Sequence, residues 1–436
     1  MTATTQQPPT PARHVSTRQA AFIGVGAMVG AGIFSLLGTA GEVAGAAVWL
    51  SFLLAGGIAA LQGYSFAKLG ARYPTAGGLI EYVNQGFGIG RVATAVAWLT
   101  YAANGIVTAM VAVSFGSYGA AAIANDDPVV AKALAIAIVV AMTVLNIAGS
   151  TLVARVQSLI VFVVVGILAF FALITIANID TSLLSPSRYP GVQDIVSSIA
   201  LTFFAFLGFG VVTFTAKDLR DPARQLPRAM AIAIGLATVV YVAVSLGVFG
   251  TLSVDEVIAS GPTAIAVAAQ PVLGDFGYWL MVITALFATS GATNAGLYPA
   301  SGLCEHLVAT GQFPTVMADR VRGRVPMGLL VAAVGIIVLV AFFDLSSIAS
   351  IGSAVALLIF TTVSLGHLRI RAATGANAWL LVAGVATAAI TLLTFVFTTL
   401  IHEPASIITL LVIIVASVLL DLAWSARRPD ASRSGA

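Results

Sequence analysis

Between Ala20 and Leu420 the chain is a succession of apolar runs, each near the length of about 20 residues that one helix needs to cross a bilayer. Only 8% of the residues are charged, against roughly 25% in a soluble domain, and nearly all of them fall between the runs. In hydrocarbon every backbone N–H and C=O must be satisfied within the protein, so only helices and closed barrels can span it. The runs are too long and too continuous for barrel strands, which alternate in polarity. The chain reads as an all-α integral membrane protein of about 12 transmembrane helices. The expected spans are 20–41, 44–66, 93–123, 133–154, 156–178, 195–216, 229–252, 276–303, 327–343, 346–366, 377–401 and 405–424.

Residues 1–19 are polar, hold three prolines and have no apolar core, so they read as a disordered cytoplasmic tail rather than a signal peptide. Residues 425–436 read as a second cytoplasmic tail. With both termini in the cytoplasm, only Lys132 and Arg188 of the 20 basic residues fall on the outer side. That asymmetry is the one that orients multi-pass proteins, and the expected location is the cell membrane. It also accounts for the net charge of +3 through topology and contact with the lipid bilayer, so no nucleic-acid partner is expected.

Cys304 is the single cysteine, which excludes an internal disulfide or a cysteine metal cluster. The four histidines, His14, His306, His367 and His402, lie in the tail, at span ends or in a loop, so no metal site or nucleophile–base set assembles and the chain does not read as an enzyme. Filter repeats and charged rings, which would suggest an ion channel, are missing from the sequence.

The first span contains GVGAMVGAGIF, residues 24–34. Glycines three or four apart let helices approach closely in lipid, and helix packing is one reading of this stretch and of Gly24 and Gly26. Gly30 and Gly32 invite another reading, because each glycine disfavours the helix by about 1 kcal/mol relative to alanine and accepts unwound conformations. A break there frees N–H groups at the start of a second half-helix, where the dipole is positive and a carboxylate binds. Freed groups cannot face lipid, so a break must line an enclosed cavity. Span six holds a matching pair, Gly208 and Gly210 in FFAFLGFGVVTF. Breaks five spans apart are expected of a transporter with 5+5 inverted repeats and discontinuous helices 1 and 6. The repeats would cover about 20–178 and 195–366, with two extra helices over 377–424.

Four ordered blocks, VGAGIF, then LSFLLAGGIAALQGYSFAKLGARYPTAGGLIEYV, then FFAFLGFG with DPARQLPRAM, then SGATNAGLYPASGLCEHLVATGQFP, resemble the amino acid/polyamine/organocation superfamily of permeases. The resemblance runs over roughly residues 20–370 and implies an amino-acid transporter working by alternating access. It places the substrate carboxylate on the N–H groups of Gly30, Ala31, Gly32 and Ile33. The ammonium group falls near carbonyls of Ala27, Met28, Phe204 and Leu207, with Gly208 at the second break. Thr100 and Asn104, four apart on one face of span three, would help select the side chain, and a bond from Asn104 to a neighbouring helix is the competing reading. Phe203, Phe206 and Phe209 would form an aromatic wall or simply pack. Gly296 stands where some relatives carry a large aromatic, which suggests a roomier pocket.

No Asp, Glu, Lys, Arg or His lies well within any expected span, and such residues commonly mark proton relays. Some relatives carry a lysine where this chain is apolar near Val164, and a glutamate where it has Gly210. Glu42 either titrates in an outer vestibule or is a solvated boundary residue. Thr289, Ser290 and Thr293 offer hydroxyl oxygens for a sodium ion, or bond within the bundle. No cofactor is implied beyond a coupling proton or sodium ion, and exchange of one amino acid for another needs neither. The lack of a buried acid favours a neutral, apolar substrate over a cationic amino acid or polyamine. An exchanger or exporter, and a sensor that binds without transporting, are the other readings.

Overall fold

The computed structural model describes residues 15–30, 32–75, 77–148 and 151–425. Span one is α1 (Thr17–Val29) and α2 (Ile33–Ala44), followed by α3 (Val48–Arg72), a short α4 (Leu79–Phe87), α5 (Arg91–Ile123), α6 (Pro128–Ala148) and α7 (Thr151–Ala177). Span six is α8 (Val192–Phe204), continued by a 3-10 helix over Leu207–Asp218. Then come α9 (Pro222–Phe249), α10 (Val254–Ser260), α11 (Ala264–Leu297), α12 (Pro299–Ala309), α13 (Met327–Phe342), α14 (Leu345–Arg369), α15 (Arg371–Thr374), α16 (Ala378–Thr398) and α17 (Pro404–Ser425). Each of the expected spans therefore falls on helix. Among the described residues, nine helical stretches are long and apolar enough to cross a bilayer, and Met327–Phe342 and Pro404–Leu419 are shorter apolar helices. The chain is an all-α membrane protein. Its strands are a two-residue hairpin, β1 (Arg320–Val321) with β2 (Val325–Pro326), turned through Arg322 and Gly323 at positive φ.

Several boundaries differ from the sequence expectation for local reasons. The first helix starts at Thr17 rather than 20, because Ser16 and Gln19 form a reciprocal capping box. Helix α6 ends at Ala148 and α7 begins at Thr151, earlier than the expected division between 154 and 156. Gly149 and Ser150, between the two helices, lie outside the described residues. Span eight continues back to Ala264 through a kink at Gly274, whose φ of 64° departs from the helix. The expected tails at 1–14 and 426–436 lie outside the described residues.

Helices α3 and α9 pack antiparallel through a stripe of small residues. Gly56, Gly63 and Gly70, seven apart, face Thr238, Ile234 and Leu226 in reverse order, at distances where a side chain would collide. The start of span one reaches the end of span six, with Val15 N–H donating to Asp218 O at 2.9 Å. These two contacts run spans one and six, like spans two and seven, in opposite directions side by side. Elsewhere, α4 and the segment after α12 are clamped together. Asn84 and Gln312 exchange amide hydrogen bonds, and the buried Phe313 ring stacks on Trp98 at 3.8 Å.

Candidate functional site

Span one is interrupted between Val29 and Ile33, and Ala31 lies outside the described residues. The interruption is narrow. Gly30 N–H still reaches Gly26 O at 3.3 Å, and Gly32 N–H reaches Met28 O at 3.0 Å. The N–H groups left over are one step further on: among the described residues no backbone carbonyl accepts the N–H of Ile33 or of Phe34. They open α2, so they point out of the positive end of a helix whose axis starts at the break.

Span six is interrupted by a turn at Ala205 and Phe206, and then continues as twelve residues of 3-10 helix. Runs of that type longer than about four residues are uncommon and mark hinges. The carbonyl of Phe204 receives no backbone N–H among the described residues, and the N–H groups of Leu207 and Gly208 find no backbone carbonyl. The carbonyl of Ala205 is taken by the hydroxyl of Tyr241 on α9, at 3.1 Å.

The two interruptions meet. A Cβ added at Gly32 would lie 2.7 Å from Ala205 Cα and 3.0 Å from Ala205 O, and one added at Gly208 would strike the peptide between Ala27 and Met28. Each break thus presses its second half against the first half of the other. Only glycine permits backbone to approach backbone this closely, which explains both Gly32 and Gly208. Gly24 packs against Val212 and Ala233, and Gly26 against Val161. Gly30 faces Ala288 and Ala292 of α11, beside a cavity of about 20 Å³ lined by Gly26, Val29, Ile160, Val161 and Val164, room for about one water.

The aromatic residues of span six do not form a single wall. Phe203 and Phe209 meet Phe360 of α14, at 5.8 and 5.2 Å between ring centroids, while Phe206 turns the other way onto Tyr241 at 5.0 Å. The break between them changes the helical phase. Phe204 fits over Gly352 of α14, with Ile106 of α5 alongside, and is the ring nearest its own freed carbonyl. Met28, Ile33, Phe203, Phe204 and Phe206 are all buried.

Asn104 takes the competing role: its Nδ2 donates to Gly296 O of α11 at 2.7 Å. Gly296 is pressed against Thr108, so the space that a larger residue would need is filled and no roomier pocket results. Thr100 bonds back to Val96 O at 2.7 Å. The three hydroxyls considered for sodium each donate within α11 itself: Thr289 to Ala285 O, Ser290 to Phe287 O and Thr293 to Thr289 O. The face that meets span one carries Ala288, Gly291 and Ala292. Residues 289 and 293 are about 100° round the helix from 288 and 292, which separates the two sets.

Two residues near the breaks escape a reading of the sequence. Tyr241 is buried between Phe52 and Phe206, and its hydroxyl finds the freed Ala205 carbonyl. A lone tyrosine in an apolar span signals that its hydroxyl has a partner, though not which one. Ser35, in the first turn of α2, is buried with no hydrogen-bond partner for its hydroxyl.

The chain is similar to known proteins. The family profile described as amino acid permease matches residues 15–420. The chain is 31% identical over 377 residues to the inner membrane transport protein YbaT of Escherichia coli K12, covering 86% of this chain and 88% of that protein. It is 28% identical to the vacuolar cationic amino acid transporter 2 of Arabidopsis thaliana, over 83% of this chain and 60% of the relative. It is 25% identical to the Asc-type amino acid transporter 1 of Mus musculus, over 74% and 63%. Among solved structures, the manganese transporter of Eremococcus coleocola superposes with a TM-score of 0.61 over 94% of both chains at 15% identity, a likeness of fold alone.

Proposed function

The chain belongs to the amino acid permease family, and from that premise we propose that it carries a neutral amino acid across the cell membrane by alternating access, with both termini in the cytoplasm. The observation that carries this reading is the meeting of the two breaks. N–H groups at the start of α2 that no carbonyl among the described residues accepts suit a carboxylate, and the carbonyl of Phe204, which likewise receives no N–H among them, suits an ammonium. A free amino acid presents both charges on one carbon. Main-chain groups recognise that common part, and Phe204, packed on Gly352 and Ile106, is the side chain beside it that would meet the substrate's own side chain.

The residues around the breaks also favour a neutral substrate. Met28, Ile33, Phe203, Phe204 and Phe206 are apolar, and none offers a carboxylate to a second positive charge. Thr289 and Thr293 lie about 100° round α11 from the face that meets span one, which favours exchange, or movement independent of sodium, over sodium coupling through that set together with span-one carbonyls.

Purified protein in liposomes, tested with labelled amino acids singly, checks the reading. Uptake of alanine- to leucine-sized neutral amino acids that competes with other amino acids, and is little affected by arginine or by a polyamine, is expected. Preferential uptake of arginine or lysine would replace the substrate class. Binding without uptake would replace transport by sensing.

A further inference from the structure

Ser35 is the third residue of α2, directly after the two residues whose N–H groups have no backbone acceptor among the described residues. Its side chain is fully buried and its Oγ has no hydrogen-bond partner. Buried hydroxyls without partners are uncommon and destabilising, so this one calls for a reason. Tyr118, edge-on to Phe34, also has a buried hydroxyl without a partner, but three other hydroxyls near the breaks are engaged. Ser114 of α5 donates to Phe34 O at 3.2 Å, Tyr241 donates to Ala205 O, and Thr202 bonds the carbonyls of Ser198 and Ile199.

The direction of Ser35 follows from helix geometry. Gly32 faces Ala205 in the span-six break, and a residue three further along a helix lies on the same side. Helical side chains lean toward the N-terminus, so a hydroxyl at the third position leans back over the first turn, toward the unpaired N–H groups. The start of α2 therefore offers two backbone donors and one side-chain donor on a positive helix end, enclosed by protein.

We propose that Ser35 is a substrate-binding residue whose hydroxyl donates to the carboxylate of the transported amino acid, beside the N–H groups of Ile33 and Phe34. The assignment rests on the reading of the breaks as an amino-acid site and adds to it the one side chain that contacts the carboxylate. Substrate binding supplies the partner that the buried hydroxyl otherwise lacks. Binding thus includes a contact that a decarboxylated amine cannot make.

The test compares wild type with Ser35→Ala in liposomes. The probes are labelled leucine, alanine and serine, with isoamylamine, the decarboxylated form of leucine, as inhibitor. Loss of one hydrogen bond to a carboxylate is expected to raise KM by about tenfold while the maximal rate changes by less than about twofold. Inhibition by isoamylamine should be unchanged. The melting temperature of substrate-free Ser35→Ala should hold or rise, because an unpartnered hydroxyl has been removed, whereas a structural hydrogen bond would make it fall. Unchanged KM in a wild type that transports, or equal weakening of leucine and isoamylamine, overturns the Ser35 assignment alone. Wild-type protein that neither binds nor moves any amino acid overturns the reading of the site, and this assignment with it.

Discussion

Replacing Gly32 with alanine adds one methyl group where the two breaks touch. The new Cβ would lie 2.7 Å from Ala205 Cα and 3.0 Å from Ala205 O, and closer still to Ala205 Cβ. A side chain could rotate aside, but these are mainly backbone atoms, and the Ala205 carbonyl is also held by Tyr241. Overpacking of this kind costs about 1–3 kcal/mol. The strain acts only while the breaks are in contact, so that arrangement should lose population by a factor on the order of 5 to 150 against arrangements that separate them. If contact between the breaks belongs to the transport cycle, uptake in liposomes should fall at least about fivefold while the protein remains folded in the membrane. Gly210→Ala is the control in the same segment, since a Cβ there meets nothing within 4 Å. Gly32→Ala protein with wild-type KM and maximal rate would refute the argument that this contact matters to the cycle.

Tyr241→Phe keeps the ring between Phe52 and Phe206 but leaves the Ala205 carbonyl without its donor, and should lower unfolding free energy by about 1–3 kcal/mol in a denaturant titration. Asn104→Ala removes the bond to Gly296 O and should cost about 1 kcal/mol of stability while KM stays constant, because the side chain is occupied in joining α5 to α11. A raised KM with unchanged stability would restore Asn104 to the substrate. Thr289→Val combined with Thr293→Val should leave the sodium dependence of uptake as it is in the wild type, since both residues lie off the α11 face that meets span one. Phe313→Ala, which empties the stack on Trp98 between α5 and the segment after α12, should destabilise by about 3–5 kcal/mol, read as a lowered melting temperature.

Glycine position made the architecture legible before any coordinates. Gly30 and Gly32 in span one, with Gly208 and Gly210 in span six, mark both interruptions, because a glycine pair in an apolar helix is unfavourable unless something requires it. What the sequence did not show was the fine accounting of the breaks. Gly32 N–H stays bonded to Met28 O, so the unpaired donors fall on Ile33 and Phe34, a shift set by how sharply the chain unwinds. The partners of Asn104, Gly296 and the α11 hydroxyls also depend on which helix faces which. Their types suit a pocket, a seam or an ion site equally well. Tyr241 and Ser35 were hidden for the same reason: a hydroxyl in an apolar span announces a need for a partner, and only the packing says whether α9 meets the break or whether the need is left unmet.

The most direct test of the central claim, that the paired breaks form an amino-acid transport site, is uptake of each of the labelled amino acids by purified wild-type protein in liposomes, with and without unlabelled amino acid inside. The account predicts saturable uptake of at least one neutral amino acid, lost on Gly32→Val and unaffected by a sodium gradient. Absence of uptake and binding for every amino acid, or full uptake by Gly32→Val, would contradict it.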